Sequence, residues 1–146
     1  MKARGSTLEY EEGRNKDLIQ TYRSILHNCT GHIDIKDVYE KLIRHPAKRF
    51  WVSEKRASIV VSQMLKGISI DYMRPERKEM YKEICNRVKQ LMKRKPNLSV
   101  YELTFEVVSQ PAPSFYLTAR TAQQIIYKIR RKWYEERKKK LRFATM

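Results

Sequence analysis

The sequence has few residues that break regular structure, with four glycines and five prolines among its 146 residues. An all-β domain of this length normally needs more turn residues than that. Residues 76–95 and 118–141 contain neither glycine nor proline, and both stretches are rich in side chains that favour or tolerate helix. This scarcity predicts an all-α protein.

Cysteines and long apolar runs are equally scarce. The two cysteines, Cys29 and Cys85, do not make a disulfide framework. No apolar run approaches the roughly 20 residues of a membrane span, and the first sixteen residues lack the apolar core of a secretory signal. These absences predict an intracellular protein that does not insert into a membrane.

Acidic residues are outnumbered, with 16 Asp and Glu against 32 Lys and Arg, a formal charge of +16. Because such an excess repels itself in the isolated protein, it favours an anionic partner: DNA, RNA, a membrane surface or an acidic protein. A basic surface that serves only solubility is the plainer alternative. The 41% of hydrophobic residues is enough for a core, although a thin one.

An internal duplication organises the chain at an offset of 65 residues. Residues 46–64, PAKRFWVSEKRASIVVSQM, align without a gap with residues 111–129, PAPSFYLTARTAQQIIYKI. The shared pattern is P-A-x-x-F-[WY]-[VL]-[ST]-x-[KR]-x-A-x-x-[IV]-[IV]-x-x-[IM], and residues 33–43 align with 98–108 upstream of it. Two copies are too few for a solenoid, so a tandem pair or a pseudo-symmetric single domain is predicted.

Each copy contains three segments with helical spacing of apolar residues. The first helices are predicted at 16–28 and 76–94, and the second at 34–44 and 99–109, with Asp34 and Ser99 as N-caps. The β-branched residues of the second segments also allow strands, but their spacing of three and four favours helix. Ser53 and Thr118 are predicted to cap the third helices, and Phe50 and Phe115 to plug the gap between helices.

These elements predict two tandem three-helix repeats and five segments. The segments are an N-terminal arm (1–15), a first repeat (16–67), a linker (68–75), a second repeat (76–134) and a basic C-terminal tail (135–146). Gly67 is suited to end a helix and Pro75 to start one.

The candidate binding residues are basic and amide side chains of the third helices, the loop before the first of them and the tail. Arg, Lys and Gln are the side chains that pair with phosphates and base edges, although an ordinary solvated helix face has the same composition. The second copy carries no acid between Thr118 and Tyr134. The predicted nucleic-acid-binding residues are Lys48, Arg49, Lys55, Arg56, Arg120, Gln123, Gln124, Lys128, Arg131, Lys132, Arg137, Lys138, Lys139, Lys140 and Arg142.

Three helices with a buried stripe on the third resemble helix-turn-helix modules, arranged in tandem as in Myb-like proteins. The resemblance implies a DNA-binding role with the third helix as the reading helix. The long connection between the second and third helices departs from the three or four residues of that motif. The repeated P-A-x-x-F-[WY]-[VL]-[ST] block is also similar to that of small uncharacterised proteins of bacterial phages and conjugative elements, which implies a genome-handling or virion-associated role.

The tail residues 130–142 hold eight basic and two acidic side chains, a composition that neutralises phosphates without reading sequence. Trp133 and Tyr134 have the rings to stack on bases. Trp133 also continues the third-helix stripe four residues after Ile129, and that spacing favours a place in the core.

No catalytic or metal site is predicted. His27, Cys29 and His32 lie close in sequence, but the second copy has no equivalent ligands, so the duplicated fold does not require zinc. The acids Asp34, Asp37 and Glu40 suit a helix N-terminus better than a Mg²⁺ site. No catalytic triad or phosphate loop is present.

The sequence therefore predicts a non-enzymatic nucleic-acid-binding protein without a cofactor, with DNA favoured over RNA and no membrane partner. The alternative is a phage structural, virion-associated or assembly protein whose basic surface contacts nucleic acid or an acidic protein.

Overall fold

Six helices make up the regular structure of the computed structural model, which describes residues 4–144, with side chains from residue 10 onward. They are α1 (Arg4–Asn28), α2 (Ile35–Arg44), α3 (Glu54–Leu65), α4 (Pro75–Arg94), α5 (Val100–Val108) and α6 (Ala119–Ala144). No strand occurs in residues 4–144, so the all-α prediction is confirmed there. Residues 1–3 of the expected arm and 145–146 of the expected tail lie outside the described residues.

Side-chain caps fix the starts of four helices where the sequence predicts them. Hydroxyl or carboxylate oxygens of the cap residues accept hydrogen bonds from backbone N–H groups two or three residues ahead, at 3.1–3.2 Å. Each cap satisfies a donor that the helix itself leaves unpaired. The four cap residues are Asp34, Ser53, Ser99 and Thr118.

Glycine and proline end and start helices on either side of the linker, as predicted. Gly67 has a φ of +83°, which L side chains rarely adopt. Its N–H donates to the carbonyl of Met64, and the N–H of Ile68 donates to that of Gln63, each at 3.0 Å. This pair of bonds closes α3 as a Schellman motif. Pro75 then occupies the first turn of α4.

The first helix begins earlier than the sequence predicts, because residues 4–15, expected as an arm, belong to α1. This early part of the helix packs on Trp51: the ring centroids of Tyr10 and Trp51 are 6.1 Å apart. A Cβ added to Gly13 would lie 2.8 Å from the Trp51 ring. A larger residue here would force the Trp51 ring to shift, so glycine permits the close approach, although it weakens a helix on its own.

The third helices exchange partners between the two halves. α3 packs against α4 and α5, whereas α6 packs against α1 and α2. Within the described residues, no Cα atom of α3 lies within 8 Å of α1 or α2, and none of α6 lies within 8 Å of α4 or α5. The structure thus does not show the predicted tandem units, in which each half would pack its own three helices.

The connections between the second and third helices cross between the halves and bond to each other. Ala47 and Ala112 pair as an isolated antiparallel bridge, each donating its N–H to the other's carbonyl at 3.0 Å. The N–H of Phe50 donates to the carbonyl of Val108 at 3.1 Å. Two backbone N–H groups of the segment before α3, those of Ala47 and Phe50, therefore bond to the second half of the chain, onto which α3 packs.

A continuous core joins both halves. The predicted stripes lie within it, since Ala57, Val60 and Val61 of α3 and Ala122 and Ile126 of α6 are fully buried. Phe50 is also fully buried, and its ring stacks on Tyr116 at a centroid distance of 6.1 Å.

We predict that truncating either repeated phenylalanine will cost about 3–5 kcal/mol of the free energy of unfolding, since each leaves a large cavity. The variants are Phe50→Ala and Phe115→Ala, at side chains that are 0% and 5% exposed. Urea titration would measure the loss. Phe105→Ala, at a ring that is 50% exposed, is the matched control and should cost no more than about 0.5 kcal/mol. Equal losses for all three variants would contradict the prediction.

Candidate nucleic-acid interface

The last helix, α6, brings most of the predicted binding residues together. It starts at the Thr118 cap and runs for 26 residues. Its buried positions, Ala122 and Ile126, face the core. The residues two positions before or after these lie about 200° around the helix, on the opposite side. That side carries Arg120, Gln124 and Lys128, all exposed.

The same side continues to the C-terminal end of α6 at spacings of three and four residues. We define the basic ridge as the exposed residues Arg120, Gln124, Lys128, Arg131, Lys138 and Arg142. Glu135 interrupts it and accepts a hydrogen bond from Arg131 at 3.3 Å. From residue 120 to residue 142 the ridge is about 33 Å long, at 1.5 Å per residue.

Contacts with α1 and α2 hold the first half of α6 in place. Trp133 packs against the core, and the Arg23 guanidinium of α1 lies 4.5 Å from the centroid of its ring. Trp133 is therefore a core-edge residue, as its spacing from Ile129 indicates. Burial raises the pKa of Tyr39 in α2 to about 12, Tyr22 adds to the rise, and Arg130 of α6 opposes it.

Beyond Trp133 the helix leaves the core. Every residue from 134 to 144 is exposed, and we call this segment the C-terminal arm. It is about 16 Å long and is helical, continuous with α6. The ammonium group of Lys138 lies 4.8 Å from the Tyr134 ring centroid. The basic residues of the arm surround the helix on several sides: Arg137, Lys138, Lys139, Lys140 and Arg142.

The third helix of the first half presents a shorter and less basic face. Lys55 and Ile59 are exposed and Gln63 is half-buried, at the positions that align with Arg120, Gln124 and Lys128. Arg56 is exposed at the start of α3. It lies close to the buried hydroxyl of Tyr81, whose pKa is raised by burial while Arg56 and Arg77 oppose the rise.

Arg49 is engaged within the chain, although the sequence predicts it as a binding residue. Its guanidinium donates to the carbonyl of Val52 and to the Glu54 carboxylate, both at 3.1 Å, and lies 5.3 Å from the Trp51 ring centroid. Neighbouring Lys48 is exposed, and its Nζ donates to Gln20 at 3.0 Å. These contacts assign Arg49 a structural role at the start of α3.

Asp17 is the residue that sequence reasoning missed. It is 3% exposed, and its Oδ2 accepts the backbone N–H of Lys48 at 2.8 Å and the indole N–H of Trp51 at 2.9 Å. It thereby fixes the segment before α3 to α1. The repeat gives no signal for it, since the aligned residue is Lys82 and Pro113, aligned with Lys48, has no N–H to donate.

The histidine and cysteine cluster forms no metal site in the described part of the chain. A pocket of about 470 Å³ is lined by Cys29, His32 and His45 among others. Among the described side chains, those of residues 10–144, no three His, Cys, Asp or Glu are grouped closely enough to hold a metal ion.

None of the described helices is both long and apolar enough to cross a membrane. The chain matches no protein-family model, no curated protein and no solved structure.

Proposed function

We propose that this chain is a non-enzymatic, intracellular DNA-binding protein that uses α6 as its main contact element. The formal charge of +16 supplies the attraction to a polyanion. The single observation that carries the proposal is the basic ridge, which runs along the side of α6 opposite its buried residues and continues beyond the core.

The shape of the C-terminal arm favours duplex DNA over duplex RNA. A helix with side chains is about 10–12 Å wide, and the major groove of B-DNA is about 12 Å wide. The major groove of A-form RNA is too deep and narrow for side chains to read. Since no described part of the core covers the arm, the arm can enter or follow a groove.

The exchanged packing changes how the helix-turn-helix resemblance applies. In each half of the chain the second and third helices have no Cα atoms within 8 Å of each other, but α2 packs against α6 and α5 packs against α3. We take the α2–α6 and α5–α3 pairs as the counterparts of the helix pairs that support a reading helix in a helix-turn-helix module. Under the proposal, α6 and α3 are the reading helices of these pairs.

The test is binding to labelled 20-base-pair DNA, an RNA duplex of the same sequence and single-stranded DNA, each across a range of salt concentrations. We expect DNA duplex to bind tightest. We also expect the logarithm of its binding constant to fall with log salt by about 0.9 for each phosphate contacted. Binding that is weak and insensitive to salt would contradict a DNA-binding function.

A second candidate function is a protein-assembly role, as in a phage or mobile-element component. Tyr101 and Phe105 are about half exposed and lie one turn apart on α5. The aligned residues of α2 are Lys36 and Glu40. An exposed aromatic pair that replaces two charges favours a protein contact, and a defined protein partner without DNA affinity would support this candidate.

A further inference from the structure

The central bridge and the packing of the third helices both relate the two halves in the way that a local two-fold axis would. Ala47 and Ala112 are aligned residues of the duplication, and each donates to the other at 3.0 Å. An antiparallel pair of equivalent residues is the arrangement found on a two-fold axis. The helix packing shows the same two-fold relation: α3 lies against α4 and α5, and α6 lies against the aligned helices α1 and α2.

The chain length between the axis and the third helices limits their separation. Six residues lead from Ala47 to the Ser53 cap, and six from Ala112 to the Thr118 cap. At about 3.3–3.6 Å per residue, each helix start lies no more than about 22 Å from the central pair. With about 5.5 Å across the central pair, the two starts are no more than about 49 Å apart, a limit that allows the 34–36 Å between half-sites one helical turn apart on B-DNA.

The exposed faces of the two helices carry different side chains at aligned positions. Lys55, Ile59 and Gln63 of α3 align with Arg120, Gln124 and Lys128 of α6. Arg and Gln pair best with guanine and adenine respectively, whereas an aliphatic side chain contacts the thymine methyl group. Because α3 and α6 carry unlike side chains at aligned positions, we expect them to prefer different base sequences.

We propose that one copy of this chain reads a bipartite duplex site, with two inverted half-sites of unlike sequence about one helical turn apart, one contacted by α3 and the other by α6. The inference rests on the proposed DNA-binding function. It goes beyond that function, because charge alone predicts neither sequence preference nor an inverted arrangement.

The deciding experiment makes the two faces alike. The variant Lys55→Arg, Ile59→Gln and Gln63→Lys gives α3 the side chains of α6. Wild type and variant are each used to select binding sites from a random library of duplex DNA. We expect wild type to select two unlike elements, and the variant to select an inverted repeat of the element that α6 contacts.

The matched control places the same three kinds of substitution on an exposed part of α4. It is Lys89→Arg, Met92→Gln and Gln90→Lys. This control should select the wild-type site unchanged. Far-UV circular dichroism and thermal melting check that both variants fold.

A direct repeat, a single element or no enrichment in the wild-type selection would overturn the bipartite proposal. These outcomes leave the proposed function intact when wild type still binds arbitrary duplex in a salt-dependent manner, and no duplex binding at all would defeat both.

A second variant, Lys55→Ala with Gln63→Ala, tests the assignment of half-sites even if the first one fails to fold. Footprinting should show that protection disappears at one element only, and affinity should fall about tenfold for each base that the variant no longer reads. Uniform loss of protection over the whole site would overturn the assignment.

Discussion

Cutting the chain between Tyr72 and Met73 is expected to give two fragments that do not fold alone and that fold together on mixing. In fragment 1–72, α3 loses α4 and α5, the helices that bury Val60 and Val61. In fragment 73–146, α6 loses α1 and α2, which cover Ile126. Exposing each of these side chains costs about 1.5–3 kcal/mol, so several together approach the whole 5–15 kcal/mol stability of a small domain.

Thermal melts followed by circular dichroism would measure whether each fragment folds. Native mass spectrometry of the mixture would measure whether the fragments associate. Each fragment alone should show no cooperative transition at concentrations where it is monomeric. The equimolar mixture should regain most of the ellipticity of the intact chain and form a 1:1 complex. The control is intact chain cleaved at the same bond after folding, which should remain associated. A fragment that melts cooperatively as a monomer would contradict the prediction.

The local features of the fold could be predicted from the sequence because they depend on neighbouring residues. The four cap residues act on N–H groups two or three positions ahead. Gly67 and Pro75 act on their own backbone angles. The buried stripes of α3 and α6 follow from spacing alone. In each case the information lies within one helix or one turn, so a sequence pattern is sufficient.

The exchange could not be predicted in the same way. A stripe such as Ala57, Val60 and Val61 indicates that a helix face is buried, but not which helix covers it. The nine-residue connection from residue 45 to residue 53 is long enough to fold back or to cross over. The hydrogen bonds between Ala47 and Ala112 join residues far apart in sequence, and these bonds accompany the crossing.

Some residues of the candidate site could be predicted from the sequence and others could not, for a related reason. The basic ridge of α6 follows from helical spacing, so residues such as Arg120, Lys128 and Arg131 lie on one side as expected. Arg49 has the same chemistry but contacts Glu54 and Trp51. Composition cannot distinguish an arginine that holds the fold from one that faces solvent, and Asp17 is hidden because its partners are about thirty residues away.

Neutralising the C-terminal arm is expected to have the largest effect on DNA binding of any surface change in the chain. The variant replaces the five basic residues of the arm with glutamine, which keeps the helix because glutamine is nearly as good a helix former as lysine. Its substitutions are Arg137→Gln, Lys138→Gln, Lys139→Gln, Lys140→Gln and Arg142→Gln.

If all five side chains contact phosphates, the slope of log binding constant against log salt should become shallower by about 4–5, and affinity at low salt should fall by about 10²–10³-fold. Fluorescence anisotropy across a salt series measures both quantities. The melting temperature should hardly change, because the substituted residues lie beyond Trp133, where the packing of α6 against the core ends.

The matched control removes the same number of charges from exposed positions on and beside α4: Arg74→Gln, Lys82→Gln, Lys89→Gln, Lys93→Gln and Arg94→Gln. Both variants carry a formal charge of +11, five less than the +16 of the wild type. A general electrostatic effect would weaken binding equally in the two. A contact made by the arm would weaken it much more in the arm variant. Unchanged affinity and slope in the arm variant would remove the arm from the DNA interface and favour the protein-assembly role, with Tyr101 and Phe105 as the first surface to test.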